Sequence, residues 1–118
     1  ETTFSEDLRS PDRIEAEIAP LARRVAEELL DARRVARVIR IKVRYADFRT
    51  VTRQTRIPLG TSSPDIIASL AQDLFRYRVP WEDTGIRLLG VGVGQVTEAY
   101  AQQLALLCEE APWREEGA

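Results

Sequence analysis

The chain has 118 residues, of which 44% are hydrophobic and 31% charged, proportions typical of one globular domain with an apolar core. Its formal net charge is −2, and it contains one cysteine and no histidine. These counts exclude zinc fingers and every catalytic centre that pairs histidine with serine or cysteine, and we expect no metal site in this chain.

No apolar run approaches the length of a membrane span, so we expect no membrane partner. A lone cysteine is typical of reducing compartments, which favours a cytoplasmic location. The sequence also lacks methionine and begins at Glu1. Because translation starts at methionine, we expect a domain of a longer protein or a processed product, with part of the function outside this chain.

A short strand and a helix are predicted at the start of the chain. Thr2–Leu8 alternates as a strand does, with Phe4 facing inward. Ser10 is a typical N-cap and is followed by a first-turn proline, so a helix begins there. Its apolar stripe is formed by Ile14, Ile18, Leu21, Val25 and Leu29. Pro20 interrupts this stripe and should kink the helix or delay its start.

A β-hairpin is predicted next. From Arg37 to Tyr45 the apolar residues alternate with cationic ones, so one face of the strand is dry and the other positive. The cationic residues are Arg40, Lys42 and Arg44. A tight turn at Ala46-Asp47 leads into a second strand, Arg49–Ile57, which is rich in threonine, valine and arginine.

A second helix and a last strand complete the predicted elements. The helix begins after Ser62-Ser63, and the strand covers Ile86–Val93. The resulting order, strand–helix–strand–strand–helix–strand (βαββαβ), predicts an α+β fold of the ferredoxin-like split βαβ type, a four-stranded antiparallel sheet with two helices on one face. The other face, which we call the open face, presents Arg40, Lys42, Arg44, Thr50, Thr52 and Arg56.

Positive charge is concentrated in this hairpin. Residues 33–56 contain nine cations against one anion, a net charge of +8, whereas the rest of the chain carries −10. A basic block in an otherwise acidic chain attracts phosphate groups, although a solvated charged face would have the same composition.

Three segments in this order resemble the little finger domain of Y-family DNA polymerases of the bacterial DNA polymerase IV type: Thr2–Leu8, Lys42–Arg53 and Arg87–Val93. The resemblance covers about residues 1–95, which we expect to form the DNA-binding domain, with a C-terminal tail at 96–118. It implies a monomer whose sheet grips the backbone of a duplex primer–template. The implied phosphate contacts are Thr50, Thr52, Arg53, Arg56 and Arg87; Lys42 and Arg44 are added from the strand alternation. Because Arg53 is out of phase with Thr50 and Thr52, we expect it to act from an edge or a bulge.

The tail contains the sequence Gln103-Leu104-Ala105-Leu106-Leu107, which is similar to the peptides by which bacterial replication and repair proteins bind the sliding clamp. The implied clamp contacts are Gln103, Leu104, Leu106 and Leu107: the leucines would fill a hydrophobic pocket and the glutamine would fix the orientation. An amphipathic terminal helix would also explain the spacing.

The resemblance implies that catalysis resides in the palm domain of the parent polymerase, where carboxylates hold magnesium. We therefore expect neither a catalytic residue nor a cofactor in this chain, and we expect the palm and fingers domains as covalent partners. Three alternatives stay open: a noncatalytic Y-family paralogue acting as an adaptor, a regulatory domain of ferredoxin-like fold that binds a small ligand, and an RNA-binding domain. The last is disfavoured because the sheet lacks a pair of stacking aromatic residues.

Overall fold

Four strands and three helices make up the described part of the chain. The computed structural model describes residues 2–8, 10–81 and 85–110. In chain order the elements are β1 (Thr2–Leu8), α1 (Pro11–Asp31), β2 (Arg34–Tyr45), β3 (Thr50–Thr61), α2 (Pro64–Arg78), β4 (Ile86–Glu98) and α3 (Ala99–Glu110). The α+β class and the predicted order of the first six elements are confirmed, and α3 is a further helix.

The sheet is antiparallel throughout, with the strand order β1-β4-β2-β3. The order of the elements along the chain does not determine this spatial order. In the ferredoxin-like arrangement the first and third strands are central, whereas here β2 and β4 are central and β1 and β3 form the edges. The long β2 strand therefore has a hydrogen-bonded neighbour on both sides, and its outward side chains occupy the middle of the open face.

Both long helices begin at the residues that the sequence indicates. The Ser10 hydroxyl accepts a hydrogen bond from the backbone N–H of Arg13 at 3.4 Å, and the Ser63 hydroxyl accepts one from Ile66 at 3.3 Å. In each case the first helical residue is a proline, which has no N–H to satisfy there. Pro20 is exposed, and α1 begins at Pro11 and continues through it, so the delayed start does not occur.

The core lies between the two long helices and one face of the sheet. From Ile39 onward, every second residue of β2 is fully buried there, as the alternation predicts: Ile39, Ile41, Val43 and Tyr45. Ile14 and Ile18 of α1 and Ile67 of α2 are also fully buried. Removing a side chain of this size from water stabilises the fold by about 1.5–3 kcal/mol. Because both helices cover the same face, the opposite face receives no helical layer from them.

A polar contact joins the two helices above this core. The guanidinium of Arg76 donates through Nε to the Glu15 carboxylate at 3.0 Å, and its Nη2 forms an ion pair with the same group. This charge-assisted pairing raises the pKa of Arg76. The Glu15 carboxylate on α1 therefore helps to hold the two helices against each other.

Candidate nucleic-acid interface

The strand register arranges the open face in rows that run across β3, β2 and β4. Written in that strand order, the rows are Thr50–Arg44–Leu88, Thr52–Lys42–Gly90, Gln54–Arg40–Gly92 and Arg56–Val38–Gly94. Residues opposite one another in a sheet point to the same side and lie about 5 Å apart. The rows contain no acidic residue. The fold therefore brings together five of the seven DNA contacts expected from the sequence: Lys42, Arg44, Thr50, Thr52 and Arg56.

Hydrogen bonds between neighbouring strands orient two of the arginines. The Nε of Arg44 donates to the Thr50 hydroxyl at 3.1 Å, and the Nε of Arg40 donates to the Gln54 side-chain oxygen at 3.0 Å. Within the described ranges, no carboxylate forms an ion pair with either guanidinium. Each group is thus held along the sheet by one nitrogen, and its forked terminal N–H groups can bind an added phosphate.

Beside the cations, β4 presents glycines. A shallow depression of about 250 Å³ lies over Gly90 and Gly92 and is bordered by the side chains of Arg40 and Lys42. A Cβ atom added at Gly92 would have no atom within 4 Å. Since glycine adds no side chain, this strand leaves space for a ligand backbone to approach the positive rows closely.

Arg53 lies on the other side of the sheet. It is opposite Ile41, whose side chain is fully buried beneath the helices. Its Nε donates to the backbone carbonyl of Arg78, the last residue of α2, at 3.0 Å, and its Nη1 donates to the carbonyl of Thr52 at 3.0 Å. The side chain therefore caps the C-terminus of α2. Although β3 is an edge strand, as expected for Arg53, the fold does not bring this residue to the open face.

The turn between β2 and β3 is tight and carries its own charge pair. The backbone N–H groups of Tyr45 and Phe48 donate to the carbonyls of Arg49 and Tyr45, both at 2.9 Å. The Asp47 carboxylate accepts from the backbone N–H of Arg49 at 3.1 Å and from its Nε at 2.8 Å. These bonds, the backbone one first, lower the pKa of Asp47. The turn predicted at Ala46-Asp47 is confirmed, and β3 begins at Thr50.

Arg87 lies at the end of the open face. The β4 register shifts between Leu88, which is opposite Arg44, and Ile86, which is opposite Tyr45, so Arg87 is the extra residue of a bulge. Its guanidinium carbon is 4.4 Å from the centre of the exposed Phe48 ring. Sequence reasoning missed Phe48; the signal was a bulky residue in a short hairpin loop, where glycine or asparagine is usual.

The expected clamp peptide lies on α3, which follows β4 without a loop. Gln103, Leu104 and Leu107 are exposed, whereas Leu106 is half-buried. Neighbouring Gln102 joins the helix to β3 by exchanging two hydrogen bonds with the backbone of Gly60. Since β4 continues to Glu98, it crosses the expected boundary between residues 95 and 96. The division into domain and tail stays a prediction.

Two other kinds of site, a metal centre and a membrane-spanning helix, are absent from the described ranges. No three histidine, cysteine or acidic side chains there are grouped so that they could hold a metal ion. No helix there is long and apolar enough to cross a membrane.

Residues 1–106 match the impB/mucB/samB family C-terminal domain. The chain belongs to this family. Among its relatives, DNA polymerase IV of Streptococcus thermophilus is 36% identical over 90% of the chain, and DNA polymerase IV of Lactococcus lactis is 35% identical over 90%. The chain spans 29% and 28% of the length of these two enzymes. The resemblance to the little finger domain of the DNA polymerase IV type is confirmed.

Solved structures of lower sequence identity share the fold of this family member. The little finger domain of PolIV, in a complex with the beta-clamp processivity factor, has a TM-score of 0.61 and 20% identity over 78% of this chain and 81% of its own. DinB from Sulfolobus solfataricus has a TM-score of 0.60 and 18% identity over 77% of this chain and 26% of its own.

Proposed function

We propose that this chain is the DNA-binding domain of an error-prone translesion DNA polymerase and that it grips the backbone of the primer–template duplex through its open face. The observation that supports this proposal is the arrangement of the rows. Lys42 and Arg44 lie on the central strand β2, with Thr52 and Thr50 opposite them on β3 and with β4 on their other side. None of the rows contains an acidic residue. Cations beside hydroxyl donors favour phosphate oxygens over base edges.

The arrangement suits binding that is independent of sequence. A protein that recognises a DNA sequence needs side chains that enter a groove and contact the edges of the bases. The open face is instead broad, and the residues beside its cations on β4 include glycines, which have no side chain. Contacts with phosphates give affinity and register without sequence preference, and they release counterions. Such contacts give a polymerase affinity for DNA that contains damaged bases, because they do not depend on the identity of the base.

The proposal extends to a second partner, the sliding clamp. Leu104 and Leu107 are 44% and 59% exposed on α3, and Gln103 is exposed beside them. A PolIV little finger of the same fold is known in a complex with the beta clamp, which supports this assignment. Attachment to a clamp would raise the local concentration of the DNA-binding face at the primer end.

The parent protein is proposed to be a DNA-directed DNA polymerase, as its relatives named DNA polymerase IV are. Phosphoryl transfer in such an enzyme depends on divalent metal ions held by carboxylates, which we place in the palm domain. This chain would contribute binding rather than chemistry, joined covalently to palm and fingers. We further propose that the parent acts in the cytoplasm, where bacterial DNA is found.

A matched pair of double variants tests the DNA interface. Lys42→Ala with Arg56→Ala removes two charges from the open face, whereas Arg23→Ala with Arg24→Ala removes two exposed charges from α1. Fluorescence anisotropy with a labelled duplex would measure affinity at several salt concentrations. We expect the first variant to lose up to about 60-fold in affinity near 0.1 M salt and about 1.8 in the salt slope, since each phosphate contact contributes about 0.9 to that slope.

The control variant should bind within about twofold of the unaltered chain, since its arginines lie on a helix that packs on the opposite face. Equal losses in both variants would mean that net charge alone attracts DNA, and would overturn the proposal of a specific face. Amide chemical shifts of a labelled sample would then locate the contact: perturbation confined to β2, β3 and β4 supports the proposal, and perturbation confined to α1 and α2 contradicts it.

A further inference from the structure

We propose that Phe48 is a positioning residue, which holds the Arg87 guanidinium in the orientation that contacts a DNA phosphate. The inference rests on the proposed function and deepens it, because it assigns a role to a residue that does not itself carry charge. It follows from one contact and from two local departures from regular backbone structure that together produce this contact.

The contact is between a cation and an aromatic ring. The guanidinium carbon of Arg87 is 4.4 Å from the centre of the Phe48 ring, well within the range of a cation–π interaction. Within the described ranges, no carboxylate or carbonyl oxygen accepts a hydrogen bond from this guanidinium. Such a contact restrains the guanidinium without a hydrogen-bond acceptor from the protein, so its N–H groups stay available to a phosphate.

The first departure from regular structure is at Phe48. Its φ is 72°, in the left-handed region, where a bulky side chain is strained and glycine is usual. The position follows from the hairpin, because the last residue of a three-residue hairpin loop commonly adopts that conformation. The ring is 63% exposed, so burial does not account for an aromatic residue here.

The second departure is at Arg87. As the extra residue of the β4 bulge, it has no opposite partner in β2, and a bulge redirects the side chain that it carries. The next residue, Leu88, is in the row of Arg44 and Thr50. Arg87 therefore extends the positive face beyond its last row, toward the hairpin tip. Strained backbone kept in a structure is commonly associated with function, and here the strained turn and the bulge meet in a single contact.

The test separates stability from binding. Phe48→Gly removes the ring and also relieves the left-handed strain, so we expect an unchanged or higher melting temperature of the 118-residue chain. Duplex affinity near 0.1 M salt should nevertheless fall by about three- to eightfold, the upper value being the loss of one phosphate contact, and the salt slope should decrease. Phe48→Trp, which keeps a ring for stacking, should retain affinity.

The double variant Phe48→Gly with Arg87→Ala decides how Phe48 acts. If Phe48 works through Arg87, the double variant binds DNA as weakly as Arg87→Ala alone. Losses that multiply would mean that Phe48 contacts DNA independently, and unchanged binding by Phe48→Gly would mean that it has no role; either overturns the inference while the proposed function stands. Absence of any salt-dependent binding by the unaltered chain would instead reject the proposed function, and this inference with it.

Discussion

The side-chain amide of Gln102 pairs with both backbone groups of Gly60. The Gly60 N–H donates to Oε1 of Gln102 at 2.9 Å, and Nε2 of Gln102 donates to the Gly60 carbonyl at 3.1 Å. The amide thus satisfies both backbone groups of Gly60, and it fastens α3 to β3. The helix that carries the proposed clamp peptide is held at the residue just before that peptide begins.

Two neighbouring glutamines should therefore have separable effects. Gln102→Ala leaves both Gly60 backbone groups without their partner, so we expect a loss of about 1–3 kcal/mol in the stability of the docked α3 helix. Hydrogen exchange of the α3 amides would measure this loss. Gln103→Ala, the matched control, should leave exchange unchanged but weaken binding to the clamp, as followed by surface plasmon resonance. Faster exchange in both variants would contradict the role assigned to Gln102.

Arg53 should affect stability more than DNA binding. Its guanidinium donates to the last carbonyl of α2 and is opposite a buried residue of β2, away from the open face. We expect Arg53→Ala to lower the free energy of unfolding by about 0.5–1.5 kcal/mol, the net value of a typical hydrogen bond. Chemical denaturation measures this change.

Thr52→Ala, on the neighbouring residue, provides the comparison. It should weaken duplex binding with little change in stability, since the Thr52 side chain is exposed on the open face. If Arg53→Ala instead reduced the salt slope by about 0.9 with stability intact, Arg53 would be a phosphate contact that reaches around the edge of the sheet.

Gly92 offers a position where affinity can be gained. A side chain there would enter open space beside Arg40, on the same face. We expect Gly92→Arg to raise duplex affinity by up to about eightfold near 0.1 M salt and to steepen the salt slope by about 0.9. Gly92→Ala is the control for the loss of glycine itself and should bind as the unaltered chain does. Tighter binding by both variants would mean that charge is not the cause.

The turn should be sensitive to acid. Because the N–H groups of Arg49 lower the pKa of Asp47, its ionised form is favoured by folding. The resulting stabilisation of the turn is fully present above the ordinary Asp pKa of about 4 and disappears as the pH falls through the lowered value of the folded state. NMR titration of the Asp47 carboxyl group should show this lowered midpoint. Arg49→Ala removes the guanidinium but keeps the backbone N–H, so it should raise the midpoint only part of the way toward the ordinary value; an unchanged midpoint would mean that the Arg49 side chain does not contribute.

Local patterns in the sequence predicted the first six elements and much of the core, but not the helix α3. Alternation of period two made Ile39, Ile41 and Val43 inward-facing residues of a strand, and serine followed by proline marked the start of both long helices. The concentration of arginine in one hairpin also predicted which strands would be positive. These features are local: they depend on spacing along the chain and on the conformational preferences of single residues.

Tertiary structure decided which of these charges act together. Only the strand order β1-β4-β2-β3 places the glycines of β4 beside Lys42, and only the register across the sheet puts Arg53 on the helical side. The contact between Phe48 and Arg87 joins a turn to a bulge 39 residues further along the chain. Strand pairing of this kind depends on packing between distant segments, which no local pattern in the sequence specifies.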